Sequence, residues 1–233
     1  MTSKSYRAAL IVGAGSGLSA SLANVLARAG LKVVLAARNV GKLEGIARVT
    51  GARVLACDAA KRDDVVRLFA ALADQPDEPD VVVYNASYRQ RGALIDLDPG
   101  EVEKSIAVSA FGGFLVAQEA VRRMLPRRHG AILFTGASAS VKGYAQSAPF
   151  AMGKFALRGL AQSMARELAP QGIHVAHFVI DGGIRSERRP PSPEAPDALL
   201  DPDAIAATYL HVLQQPRSAW TWEVELRPWT EKF

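Results

Sequence analysis

The chain has 233 residues, 49% of them apolar and 22% charged, which suits one large domain or two small ones with a buried core and is ordinary for a globular protein. Its apolar runs, such as AALIVGAGSGLSA, are broken by Gly and Ser well short of the roughly eighteen residues a membrane span needs, and MTSKSYR precedes no apolar leader, so neither a membrane span nor a secretory signal is expected. The formal charge of +5 fits either a scattered basic surface or a preference for anionic ligands, while the short basic clusters (RRM, PRRHG, SERRP) lack the interleaved aromatics of a nucleic-acid binder.

RAALIVGAG, from Arg7, is a short apolar run closed by glycines and reads as a buried strand. The helix after it spaces Leu18, Leu22, Val25, Leu26 and Ala29 along one face, with Gly30 placed to stop it. KVVLAAR is a second strand, NVGKLEGIARVTG a helix with a glycine stop, and ARVLACD a third strand. KRDDVVRLFAALAD puts Val65, Val66, Leu68, Phe69 and Leu72 on a helical face, and PDVVVYNAS is a fourth strand. One long helix is predicted over 99–124, broken by Pro126 and Gly130, and AILFTG is a fifth strand. A helix over 150–168 is stopped by Pro170 and Gly172, and IHVAHFVI is a sixth strand. Asp201 and Asp203 suit the start of a last helix, and WTWEVEL alternates like a strand at a sheet edge.

Strand and helix alternate throughout, and six of the seven strands are nearly all apolar. That pattern predicts an α/β, Rossmann-type doubly wound parallel sheet of about seven strands with helices on both faces. No internal repeat or linker interrupts it, so 1–233 reads as a single domain. The one irregular stretch is the proline-rich segment 188–203, which is either a plain surface loop or a lid over a ligand cleft. Cys57 is the only cysteine, which fits a reducing, cytoplasmic setting. His174 and His177 are three apart on a strand and so point to opposite faces; no metal site is expected. Trp220, Trp222 and Trp229 read as a cover for the sheet edge or as an interface.

The candidate site begins at IVGAGSGLSA. Gly13, Gly15, Ser16, Gly17 and Leu18 span the turn from strand to helix, where glycines let backbone approach a pyrophosphate and the helix N-terminus favours negative charge. G-x-G-x-x-G fails at Leu18, whereas G-x-x-x-G-x-G matches Gly13 and Gly17 and finds Ser19 in its last place. After the second strand, Ala37 and Arg38 stand where an NAD-preferring fold usually has an acid for the ribose hydroxyls. A guanidinium there suits a 2′-phosphate, so NADP(H) is preferred over NAD(H).

With these residues in place, the chain resembles a single-domain short-chain dehydrogenase/reductase over about 6–226. The resemblance rests on GAGSGLS, on CDAA, on YNAS, on GKFALRGLAQSMARELAPQGIHV, and on DGGIRS in the place of the family's Pro-Gly segment. It implies that Asp58 contacts the adenine, that Asn85 and Ala86 line the cofactor, and that Ile184 and Ser186 lie near the nicotinamide amide. It also implies a small-molecule substrate and a homodimer or homotetramer formed through the helices near 99–124 and 150–168.

The departures fall on the chemistry. The family's Tyr-x-x-x-Lys reads Phe150-x-x-x-Lys154, its serine is Ala137, its asparagine aligns with Ser109, and the proline of its Pro-Gly is Asp181. Lys154 alone is retained. Ser138, Tyr144 and Asp181 are the substitute donors to weigh, and Thr135 is expected to face the core. Two functions follow: an NADP(H)-dependent oxidoreductase with atypical chemistry toward a small carbonyl, imine or activated alkene, or a catalytically silent nucleotide-binding pseudoenzyme acting as sensor or scaffold.

Overall fold

The computed structural model describes residues 6–231; most of the MTSKSYR segment lies outside them. Seven parallel strands form one sheet: β1 (Ala8–Val12), β2 (Lys32–Ala37), β3 (Arg53–Ala56), β4 (Val81–Tyr84), β5 (Gly130–Thr135), β6 (Ile173–Ile180) and, last in the chain, β9 (Glu223–Leu226). Their order is β3-β2-β1-β4-β5-β6-β9, so the chain reverses its winding between β1 and β4. A crevice opens at the carboxyl ends of strands at such a reversal. The strand predicted from WTWEVEL does take the edge beside β6. A two-residue pair, β7 (Gly183–Ile184) with β8 (Leu199–Leu200), is an addition that no periodicity announced.

Strands buried on both faces must be apolar at every position, and β1, β4, β5 and β6 are buried throughout. On one face α1 (Leu18–Arg28) and α7 (Pro202–Gln214) bring Leu22, Leu26, Ile205 and Tyr209 onto Ile11, Leu133 and Phe178. On the other, α3 (Arg62–Ala70), α5 (Gly112–Met124) and α6 (Ala148–Leu168) bring Phe69, Leu115 and Leu157 onto Leu10, Val82 and Phe134. Truncating a fully buried leucine in such a core costs about 2–5 kcal/mol. A short helix α2 (Glu44–Thr50) covers the β2–β3 crossover. The buried Asp80 carboxylate accepts from the backbone N–H groups of Arg7 and Ala8 at 3.0 Å, which ties the start of β1 to that of β4.

The helix predicted over 99–124 is corrected in one respect. It consists of α4 (Pro99–Ile106) and α5, joined by a π-helical turn over Ala107–Phe111. There the Gly112 N–H donates to Ala107 O, five residues back, and the Tyr84 hydroxyl donates to the freed Val108 carbonyl. Such turns concentrate at functional sites. Gly112 has no room for a side chain, because a Cβ there would lie 2.5 Å from Tyr84 Oη and 2.7 Å from Ala59 O. Outward from these helices Phe111, Phe114, Met152 and Phe155 are exposed. At the sheet edge Trp220 stacks on His174, while Trp229 is 81% exposed and covers no strand. Among the described residues no helix is long and apolar enough to cross a membrane.

The tight seat of α5 on β4 has a measurable consequence. Gly112→Ala should lose about 1–3 kcal/mol of stability in urea denaturation. Gly45→Ala, where a Cβ would meet nothing within 4 Å, should match or exceed the parent. Equal midpoints for Gly112→Ala and the parent would show that the approach of α5 to Tyr84 is not a constraint.

Candidate active site

The crevice is set by one contact between two loops. Gly13, leaving β1, has φ +82°, and a Cβ on it would fall 2.3 Å from Ala86 N on the loop leaving β4. Only glycine combines that dihedral with that approach. Asn85 fastens the loops further: its Nδ2 donates to Ser19 Oγ at 2.8 Å and to Gly13 O at 3.4 Å. Ser19, in the last glycine place of the motif, is thus a brace. Leu18, in the position that defeats the other glycine pattern, packs in the core with Leu22 and also lines the inner end of the crevice.

Gly15 and Gly17 differ from Gly13: a Cβ on either meets no protein atom within 4 Å. Both border an open groove together with Ser16, Lys42, Arg185 and Arg188. Gly17 caps α1 and offers no side chain to its first N–H groups. Those donors and the cations across the groove suit a pyrophosphate. The groove continues to a pocket lined by Ala37, Arg38, Asn39, Lys42, Asp58 and Ala86. Neither Arg38 nor Lys42 is in an ion pair among the described residues. Asp58 sits at the base of this pocket, where its Oδ1 accepts from Ala60 N at 3.2 Å. The residues of the crevice therefore fit a pyridine dinucleotide. Lys42 and Asn39 escaped the sequence reading because the turn that brings them back over the β2 end has no periodicity.

The inner end of the crevice is lined by Gly17, Ser87, Thr135, Ala137, Phe150, Lys154, Ile184 and Ser186. Lys154 reaches it from the first turns of α6 and is 3% exposed. Its Nζ donates to Thr135 O at 2.7 Å, and burial pushes its pKa down to about 8. The Thr135 hydroxyl is spent on Tyr209 Oη, 3.0 Å away in the core, as its predicted inward orientation requires. Phe150 and Ala137 both face the crevice and bring only hydrocarbon to it. Ser109 is fully buried, and its Oγ accepts from Tyr88 N at 3.2 Å, away from the crevice lining.

The substitute donors fare poorly. Ser138 opens a short 3-10 turn (Ser138–Ser140) and is not among the lining residues. Asp181 does not act as a protonated acid. Burial alone would raise its pKa, but the hydrogen bond from Lys142 (2.9 Å) and the charges of Lys142 and Arg227 hold it below the usual carboxylate range. Tyr144 is half exposed and likewise outside the lining. His174 Nε2–H donates to Thr221 O and His177 Nδ1–H to the Glu223 carboxylate, so each ring is committed to the β9 edge. Among the described residues no three His, Cys, Asp or Glu side chains gather as a metal site.

The segment 188–203 leaves the carboxyl end of β6 and returns through β8. Asp197 holds it down, accepting from Trp229 Nε1 at 3.1 Å through its carboxylate and from the Thr230 hydroxyl at 3.3 Å through its carbonyl. Its first residues border the crevice, with Arg188 in the groove and the Arg189 guanidinium against Gly183.

Comparison with known proteins agrees with this architecture. Residues 7–195 match the family model described as short chain dehydrogenase. The chain is 27% identical over 234 aligned positions to an uncharacterised oxidoreductase of Staphylococcus aureus, covering 98% of this chain and all of that one. Among solved structures, a short-chain dehydrogenase from Rhodopseudomonas palustris is 34% identical with a TM-score of 0.83, covering 96% of this chain and 99% of the other. A metagenomic short-chain oxidoreductase in complex with NADP is 26% identical with a TM-score of 0.84, covering 97% and 98%. The reversed winding, the glycine-loop crevice and the family match together make this chain a member of the short-chain dehydrogenase/reductase family.

Proposed function

We propose that the protein is an NADP(H)-dependent oxidoreductase that reduces a small carbonyl, imine or activated alkene at an atypical site. The observation that carries this reading is Lys154: a buried ammonium at the inner end of a dinucleotide crevice, flanked by hydrocarbon at positions 137 and 150. The related metagenomic oxidoreductase in complex with NADP supports the cofactor class. Arg38 and Lys42 favour the phosphorylated form, since two cations without acidic partners line the adenosine end. The N-terminus of α1 with Gly15, Ser16 and Gly17 would hold the pyrophosphate, Asp58 the adenine, and Ile184 and Ser186 the nicotinamide end.

When bound, NADPH supplies the hydride. The chain's own task is to place the substrate, exclude water and neutralise the charge that develops. Phe150 and Ala137 wall the site without donating. Lys154 holds a proton at Nζ, and with a pKa near 8 it keeps that proton at neutral pH yet releases it readily. A positioned acid contributes about 10²- to 10⁴-fold, and an oxyanion donor about 10²- to 10³-fold. A site with a lysine in place of a Tyr–Ser pair favours substrates that demand less, such as an imine already protonated or an alkene whose carbon takes its proton from solvent. The segment 188–203 bounds the substrate end as a lid.

A second reading, a pseudoenzyme that binds NADP(H) as a sensor or scaffold, is favoured by Ser109. Its hydroxyl is turned onto Tyr88 instead of into the crevice. The two readings separate in NADPH-consumption assays over ketones, quinones, imines and enones. The first expects turnover of an imine or enone. The ammonium is the competent form, so the rate should fall as pH rises through about 8, and Lys154→Met should remove at least 100-fold. NADPH binding with no consumption across the panel would establish the second. On the cofactor, Arg38→Ala should raise the Kd for NADPH about 10- to 100-fold and leave NADH nearly unchanged. Equal losses would remove the phosphate role.

A further inference from the structure

Phe150 raises a question that its lost hydroxyl does not answer: what the retained ring does. The Arg89 guanidinium lies over it, 5.0 Å from the ring centroid. An aromatic face holds a guanidinium flat and leaves its edge N–H groups free for an oxyanion.

Arg89 is built in place. The Tyr88 N–H donates to Ser109 Oγ at 3.2 Å, and Ser105 Oγ donates to Tyr88 O at 3.0 Å, so the residue before Arg89 is clamped to α4 and its π turn. After it, the Gly92 N–H donates to Gln146 O at 3.1 Å, just ahead of α6. The family's asparagine position, now Ser109, therefore anchors the segment that presents Arg89. A second arginine, Arg189, comes from the proline-rich segment. Its Nη1 would lie 2.6 Å from a Cβ on Gly183, so it lies across the backbone beside Gly182 and Ile184, which line the crevice. Reciprocal backbone hydrogen bonds of 3.0 Å between Ser186 and Arg189 fix that turn.

These cations repel one another. Burial, and then the charges of Arg91 and Arg189, lower the pKa of Arg89, although a guanidinium stays charged at neutral pH. None of Arg89, Arg91 and Arg189 is in an ion pair among the described residues, whereas nearby Arg185 pairs with Asp201 at 2.7 Å and Arg158 with Glu223 at 2.6 Å. Arg89, over the Phe150 ring, thus feels the charges of two further arginines and, among the described residues, has no acid paired with it.

We propose that Arg89 and Arg189 receive an oxyanion of the substrate, a carboxylate or a phosphate, above the Phe150 ring. The substrate is then a small reducible molecule carrying such a group close to its reacting carbon. This rests on the reading of the inner crevice as the substrate end of an NADP(H) site. Phe150 serves it as a platform: the ring is kept for the guanidinium, and the hydroxyl, which would compete for the same anion, is gone.

Calorimetry on protein saturated with NADPH tests the proposal, because the cofactor then occupies the phosphate-binding groove. Succinate, inorganic phosphate and the neutral isostere succinamide are titrated at constant ionic strength. At least one anion should bind tenfold or more tighter than succinamide, and the stronger of the two identifies the group as carboxylate or phosphate. Arg89→Ala and Arg189→Ala should each weaken that anion tenfold or more. Arg89→Lys should recover only part, since it keeps the charge and loses the flat fork. Equal binding of succinamide and both anions, or unchanged affinity in the arginine variants, overturns the proposal while the cofactor reading stands. Absence of NADPH binding at the outset removes the cofactor reading and this inference with it.

Discussion

The structure depends on the approach of Gly13 to Ala86. The loops leaving β1 and β4 meet there with no room for a Cβ, at a backbone angle that side chains resist. Because the sheet reverses its winding between these two strands, their separation sets the width of the crevice. Asn85 and Ser19 hold the same junction with side-chain hydrogen bonds, and Asp80 holds the opposite ends of the two strands together. The α1 N-terminus, the cations at the β2 end and Lys154 all take their positions from that frame.

Within it, polar groups are largely consumed by structure. Thr135 bonds to Tyr209, Asp181 to Lys142, and Ser109 to Tyr88. What remains at the inner crevice is a buried ammonium, the side chains of Ser87 and Ser186 and, at the rim, guanidiniums without acidic partners among the described residues. Burying an ammonium is costly, and its lowered pKa is the signature of that cost. The bond from Lys154 to the Thr135 carbonyl offsets part of it and fixes where the proton is held.

The alternation of apolar runs and helical faces made the layered fold legible, since strands buried on both sides can be written only in apolar residues. The glycine loop was legible for a related reason: a positive φ and a close backbone approach leave one residue type. The hydrocarbon at 137 and 150 could be read only beside the family's pattern, and the structure puts both residues in the crevice. Other features had no sequence signal. Lys42 reaches the crevice through a turn. Arg89 matters because of a ring 61 positions away, and no spacing rule connects the two. Ser109 looked like a weakened catalytic position, yet its hydroxyl is engaged in holding a neighbouring loop. Ser138 and Tyr144 were plausible by proximity in the chain, but the short turn after β5 carries both away from the crevice lining.

The π turn between α4 and α5 also sets an angular phase. One residue in an α-helix spans about 100°, so the wider turn carries one residue more than an α-helical path would and rotates everything downstream by about that amount. With the turn in place, Leu115 and Val116 point at the sheet while Phe111 and Phe114 look outward. Winding the same residues 107–111 as regular α-helix would swing the apolar stripe of α5 toward solvent and pull Gly112 off Tyr84, whereas removing one of them would let an α-helical turn close with α5 in its present phase. An irregularity of one residue thus decides which side of this element is core and which is left for the outside world.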